Sequence, residues 1–158
     1  MSDLEAGPGR ILQRFTEDES LNLANHWIAV YAKNCRGLNL RAFLWHTFSA
    51  GAYPCVCEGE AERLYAQQIA PEFILLSNDR RSAVRTEARP TMCNLADYLV
   101  FPTSFAWTMA FTHESGWLGP YFAKHPNYDA LIRQDHERCR AVQRREQEIQ
   151  RAKREGWI

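Results

Sequence analysis

The segment Trp107-Thr-Met-Ala-Phe-Thr-His113-Glu114 decides the fold that this sequence predicts. Side chains in a strand alternate between the two faces of the sheet, so the large apolar residues of this segment share one face. His113 falls at the end of the same row, just before a glycine-containing loop. We therefore predict a strand with a core face, ending at a polar side chain in a position where sheet proteins often place functional groups.

The regions before this segment predict the rest of the sheet. Asp97-Tyr-Leu-Val-Phe101 and residues 105–112 lie on either side of Pro102-Thr-Ser, which predicts an antiparallel hairpin. Residues 73–76 are wholly apolar, which is typical of a buried central strand. We expect a single layer of three to five mostly antiparallel strands, with the hairpin at its centre.

The N-terminal half shows one helix signal and one aromatic segment. Thr16, followed three residues later by Glu19, is a capping box, and apolar residues then recur at helical spacing to about residue 33. Gly37 is the predicted stop. Residues 43–48 are aromatic and β-prone, so we predict a strand there.

Two further helices complete the predicted architecture. Residues 58–70 have apolar side chains on one side and end at a proline, and residues 127–155 read as a long charged helix. The first dozen residues are polar and interrupted by Gly-Pro-Gly, so we expect them to be flexible. The order of elements favours a single α+β domain over residues 1–158.

The composition excludes several classes of protein. Nineteen basic and nineteen acidic residues give a net charge of zero, which argues against a dedicated nucleic-acid binder. The longest apolar run, residues 27–32, is too short to span a bilayer. Five cysteines are an odd number, and the start of the sequence lacks a signal-peptide pattern. We expect a reduced, cytoplasmic protein that does not bind membranes.

His113 and Glu114 are the first candidate site residues. A histidine can titrate near neutral pH, so His113 could act as a general base, a ligand or a binding contact, with His46 or Glu114 beside it. The competing interpretation is that His113 caps the core. Neighbouring residues of a strand point apart, which favours this competing interpretation.

The loop after the strand supplies the predicted contact surface. Trp117, Tyr121 and Phe122 are aromatic and follow His113 and Glu114 closely, so we predict that these five residues contact a partner protein. We favour a contact surface over an active site at this position.

The cysteines offer a weaker alternative. Cys55 and Cys57 would lie on one side of an extended chain, and His46 and Cys35 could complete a zinc site. A structural zinc site usually has a longer spacer and a second cysteine pair. We therefore expect reduced cysteines, with no metal and no cofactor.

Several fragments resemble a small bacterial family known as domain of unknown function 4275. The resemblance covers roughly residues 43–122. Its fragments are Trp45-His-Thr-Phe-Ser49, Tyr53-Pro-Cys55, Glu58-Gly-Glu-Ala61, residues 73–76, residues 107–114 and Gly119-Pro-Tyr-Phe122. The resemblance implies a small stand-alone bacterial protein and no particular activity.

Three functions remain open at this point. The first is an immunity-type inhibitor that neutralises a cognate toxin by direct binding, suggested by small size, abundant Trp and Tyr, and the lack of a catalytic motif. The second is a small enzyme using His113. The third is an adaptor or homo-oligomer formed through the C-terminal helix, whose apolar positions form a narrow, broken stripe.

Overall fold

The computed structural model describes residues 3–33, 43–114 and 117–158. The helices in these ranges are α1 (Glu17–Tyr31), α2 (His46–Ser49), α3 (Glu58–Ala66) and α4 (Tyr128–Arg154). The strands are β1 (Ala6–Gly7), β2 (Ile11–Arg14), β3 (Val56–Cys57), β4 (Phe73–Ser77), β5 (Ala83–Thr86), β6 (Met92–Cys93), β7 (Tyr98–Pro102), β8 (Trp107–Phe111) and β9 (Tyr121–Lys124).

Seven of these strands form one antiparallel sheet in the order β2-β5-β4-β7-β8-β9-β3. β1 and β6 pair separately as a two-stranded sheet. The α+β class and the β7–β8 hairpin are confirmed, and β7 is the middle strand of the seven. The predicted count of three to five strands is wrong, because strands as short as the two-residue β3 carry too little alternation to be recognised in the sequence.

Both faces of the large sheet are covered. Successive residues of β4 show this, since Ile74 and Leu76 pack with α1 whereas Phe73 and Leu75 pack with α3. We call these two clusters the α1-side core and the α3-side core. Because both of its faces are buried, β4 has a wholly apolar sequence up to its final serine.

The helix α1 begins as its capping box predicts. The main-chain N–H of Glu19 donates to Thr16 Oγ1 at 3.1 Å, and Glu19 Oε1 accepts from the main-chain N–H of Thr16 at 3.0 Å. One side chain then ties the helix to the central strands, since Trp27 Nε1 donates to Thr108 Oγ1 at 2.9 Å within the buried interior. The predicted stop at Gly37 lies outside the described residues.

One other expectation needs correction. Residues 43–48 do not form a strand. They turn into the short helix α2, because Trp45 and Phe48 lie three residues apart and pack together into the α1-side core. Within the first dozen residues, residues 3–12 contain β1 and part of β2. They make main-chain hydrogen bonds, for example from Asn94 N–H to the carbonyl of Glu5 at 3.1 Å, and the flexibility of the first dozen residues stays a prediction.

The predicted long C-terminal helix is confirmed as α4. Its first turns pack on the α3-side core through Tyr128, Leu131 and Ile132. One turn further on, Asp135 is fully buried and accepts a hydrogen bond from Ser104 Oγ at 2.6 Å. Every residue from 140 to 151 is exposed, so the second half of the helix extends away from the domain body.

Candidate functional site

A carboxylate and a histidine meet at the open end of the central hairpin. Asp97 Oδ1 accepts hydrogen bonds from the main-chain N–H of His113 at 3.0 Å and from Trp45 Nε1 at 3.0 Å. The Nδ1 atom of His113 lies 2.9 Å from Oδ1 and 3.0 Å from Oδ2 of the same carboxylate. Asp97 is therefore the residue that organises this site.

The register of the hairpin brings these two residues together. Tyr98 pairs with Phe111 at the last rung of the β7–β8 ladder. Asp97 precedes Tyr98 and His113 follows Phe111 by two residues, so both leave the ladder at the same end. The sequence prediction missed Asp97, although pairing residues 97–101 against 105–112 would have placed it beside the predicted candidate His113.

The ring of His113 does not continue the row of Trp107, Met109 and Phe111. Those three side chains pack with the α3-side core, whereas the His113 ring lies 5.0 Å from Phe43 and 6.2 Å from Trp45, both packed with the α1-side core. The predicted shared face is wrong because β8 ends at Phe111, and the alternation of a strand ends with it.

The environment of His113 favours its charged form. The hydrogen bond to Asp97 raises the pKa of His113, and the charges of Asp97 and Glu114 act in the same direction against a smaller effect of burial. Its Nε2 atom lies 3.7 Å from Glu114 Oε1, and 40% of the side chain is exposed. The ring is thus oriented through Nδ1, while Nε2 lies on the side of Glu114, at the protein surface.

Hydrogen bonds of Thr112 join Glu114 and Leu118, on either side of residues 115 and 116. Thr112 Oγ1 donates to the carbonyl of Leu118 and accepts from the main-chain N–H of Glu114 at 3.2 Å. The N–H of Leu118 in turn donates to the carbonyl of Glu114 at 2.8 Å. Trp117 follows Glu114 on this side of the domain with 80% of its surface exposed, and its place on a contact surface stays a prediction.

The two other predicted contact residues lie in the interior. Tyr121 belongs to the α1-side core, where its ring stacks on Trp45 with centroids 6.3 Å apart. Phe122 belongs to the α3-side core and stacks on Trp107 at 5.6 Å. These residues are strand residues of β9, so their aromatic character reflects packing and not contact with a partner.

The weaker metal and catalytic candidates are dispersed around this region. The ring of His46 lies 4.7 Å from Trp45 and 5.4 Å from Phe43, on the same aromatic cluster as His113. Cys55 is half-buried, and burial raises the pKa of its thiol, while Cys57 is exposed. Among the described residues, no three His, Cys, Asp or Glu side chains form a group suited to a metal ion. Cys35 lies outside them.

In the described ranges of the chain, none of the helices is both long enough and apolar enough to cross a bilayer.

Fold and site together define a class of protein: an α+β domain whose central hairpin ends in an Asp–His pair, beside an exposed tryptophan. The family model described as Domain of unknown function (DUF4275) matches residues 19–122, more than half of the chain, and the chain belongs to this family. The comparisons with curated proteins and with solved structures return no match. The match includes the Asp97–His113 pair and ends before α4 begins.

Proposed function

We propose that this chain is a protein-binding domain, specifically an immunity-type inhibitor that neutralises a cognate toxin by direct contact. The observation that carries the proposal is the 80% exposure of Trp117, next to Leu118, whose carbonyl accepts a hydrogen bond from Thr112. Tryptophan is among the residues that dominate interface energies, and its large side chain has only two rotatable bonds to immobilise on binding.

The polar groups around Trp117 suit the rim of such an interface. His113 and Glu114 immediately precede the tryptophan's turn, and both are partly exposed. Asp97 holds His113 in one orientation, so the rim is organised before a partner arrives. The zero net charge of the chain favours a target without a strong basic excess.

Affinity capture from a bacterial host that produces the toxin tests this proposal. We expect the tagged chain to recover one dominant, stoichiometric partner. The Trp117→Ala variant should lose it, since a truncated hot-spot residue commonly costs about 2 kcal/mol or more, equivalent to roughly thirtyfold in affinity.

The chain provides a matched control in Trp157, which is also exposed, at 66%, but lies at the far end of α4. Trp157→Ala should retain the partner. Recovery of no partner by the unmodified chain, or equal loss in both variants, would exclude the contact surface proposed around Trp117.

A small enzyme is the second candidate, favoured by the Asp97–His113 pair. A carboxylate that holds Nδ1 directs the other ring nitrogen outward, as a general base requires. Residues near it include Glu114, at 3.7 Å from Nε2, and His46, on the shared aromatic cluster. A hydrolase substrate screen tests this candidate, with the His113→Gln variant as the negative control. Equal turnover by the two proteins rejects a catalytic role for His113.

Self-association through α4 is the third candidate. Its exposed half carries Val142 and Ile149 seven residues apart, on one side of the helix. Removing residues 146–158 and measuring the solution mass tests it directly. A chain that is monomeric both before and after truncation would exclude this role.

A further inference from the structure

The exposed half of α4 carries a charge that the whole chain does not. Residues 138–154 contain seven basic and two acidic side chains, a surplus of five positive charges in a protein of zero net charge. The basic residues are Arg138, Arg140, Arg144, Arg145, Arg151, Lys153 and Arg154. The balanced composition therefore conceals a strongly basic helical segment.

Four of these arginines lie along one face of the helix. At 3.6 residues per turn, Arg140, Arg144, Arg151 and Arg154 fall within a sector of about 80°. We call these four residues the arginine stripe. No residue from 140 to 151 is covered by the domain body, and Arg151 and Arg154 are also exposed. The stripe thus presents four guanidinium groups along one side of the projecting half of α4.

The stripe is largely without internal counter-charges. Arg151 Nε lies 3.5 Å from Glu155 Oε1. Within the described parts of the chain, no carboxylate oxygen lies within 4.0 Å of the guanidinium nitrogens of Arg140, Arg144 or Arg154. Unpaired positive charges held in a row are complementary to a polyanion, and guanidinium groups bind phosphate oxygens in a bidentate manner.

The exposed apolar side chains of residues 138–154 form only a small patch. Val142 and Ile149 are 47% and 41% exposed, and Glu146 lies between them in the sequence. Insertion into a bilayer interface needs a broad apolar face with large side chains. Val142 and Ile149 lie on the side of α4 opposite the stripe, so self-association through them would leave the four arginines exposed.

We propose that the arginine stripe binds the phosphate backbone of double-stranded DNA, with α4 lying along the major groove. An α-helix with its side chains is about 10–12 Å across, and the major groove of B-form DNA is about 12 Å wide. Residues 138–154 span about 25 Å, enough to follow several base pairs. The major groove of A-form RNA is too narrow for a helix, so DNA is the preferred partner. This surface is separate from the loop around Trp117.

Fluorescence anisotropy with a labelled 20-base-pair DNA duplex tests the proposal on the full chain. We expect a dissociation constant on the order of micromolar at 50 mM KCl, as for sequence-independent binding. If the stripe neutralises three or four phosphates, binding should weaken by about thirtyfold between 50 and 150 mM KCl. The double variant Arg140→Gln with Arg144→Gln should bind at least about tenfold more weakly at 50 mM.

A control variant on the same helix separates the effect of the arginine stripe on DNA binding from the effect of net charge. Arg145→Gln with Lys153→Gln removes the same charge from the opposite side of α4, and glutamine preserves helix propensity in both variants. We expect the control to weaken binding by less than about threefold. Circular dichroism should show the same helix content in all three proteins.

Four outcomes would overturn the proposal. These are no DNA binding at 50 mM KCl, equal loss in the two double variants, equal or tighter binding to a 20-base-pair RNA duplex, and binding only to phosphatidylglycerol vesicles. DNA binding through the stripe should not depend on the surface around Trp117. We therefore expect the Trp117→Ala variant to bind DNA as the unmodified chain does.

Discussion

The carboxylate of Asp97 holds His113 at two points, accepting from its main-chain N–H at 3.0 Å and lying 2.9 Å from its Nδ1 atom. It also accepts from Trp45 Nε1 at 3.0 Å. One side chain therefore joins the end of β8, the start of β7 and the residue before α2. The orientation of the imidazole and the hydrogen bond between Trp45 and the hairpin depend on the same carboxylate.

Replacing this carboxylate should change the titration of His113. In Asp97→Asn the negative charge is lost, so we expect the pKa of His113 to fall from its raised value towards the ordinary 6.5. An NMR titration of the imidazole Cε1–H signal measures this. His125 serves as an internal control, because burial, with the charges of His26 and Lys33, lowers its pKa independently of Asp97.

The same substitution should alter how stability depends on pH. Since the folded state raises the pKa of His113, its charged form stabilises the fold below pH 6.5, and this contribution is lost as pH rises through the folded pKa. Urea unfolding at several pH values should show this fall in the unmodified chain and a weaker one in Asp97→Asn. An unchanged His113 titration in the variant would contradict the role assigned to Asp97.

The buried bond between Trp27 and Thr108 should contribute measurably to stability. Thr108→Val keeps the shape of the side chain but leaves the buried Nε1 of Trp27 without its acceptor, so we expect a loss of about 1–3 kcal/mol in the free energy of unfolding. Thr108→Ser retains the hydroxyl group and serves as the control. Thr108→Ser lacks only the methyl group, so a loss in Thr108→Val no larger than that in Thr108→Ser would contradict a stabilising role for the hydrogen bond.

Asp135 should destabilise the fold at neutral pH. Burial raises the pKa of Asp135 above its ordinary 3.8, although the hydrogen bond from Ser104 and the charges of Arg138 and His136 act against this. One of its oxygens, Oδ1, has no hydrogen-bond partner in the described part of the chain. We therefore expect Asp135→Asn to raise the free energy of unfolding at pH 7 by an amount on the order of 1 kcal/mol.

Because the pKa of Asp135 is raised, its destabilising effect is confined to a defined pH range. A raised carboxyl pKa means that the folded state binds the proton more tightly, so stability decreases as pH rises from 3.8 through the folded pKa and is constant above it. The difference between Asp135→Asn and the unmodified chain should therefore shrink as pH approaches 4. Chemical unfolding at pH 4, 5 and 7 measures this trend, and a difference that grows at low pH would refute it.

Local signals in the sequence were sufficient for the elements that depend on local interactions. The capping box of Thr16 and Glu19 starts α1, and the break at residues 102–104 defines the central hairpin. β2, β3 and β9 were missed because strands of two to four residues are stabilised by their neighbours in the sheet and not by their own pattern. The aromatic residues of α2 have strand propensity, but packing against α1 overrides it.

Local sequence signals also predicted only part of the candidate site. His113 and Trp117 could be singled out because each belongs to a recognisable segment. Asp97 was missed because its role arises from a contact across sixteen residues of chain, which appears only once the two strands of the predicted hairpin are paired in register. Tyr121 and Phe122 resembled surface contacts, since an aromatic pair between prolines gives no indication that both of its faces will be buried.

The sheet also divides the interior into two compartments that can vary separately. Leu99 and Val100 are neighbours in β7, yet Leu99 packs on the α1 side and Val100 on the α3 side. The hydrogen-bonded backbone between them cannot shift to fill a void on either side without breaking the ladders to β4 and β8. Substitutions in one compartment should therefore add to those in the other, so related chains can repack one side while keeping the other intact.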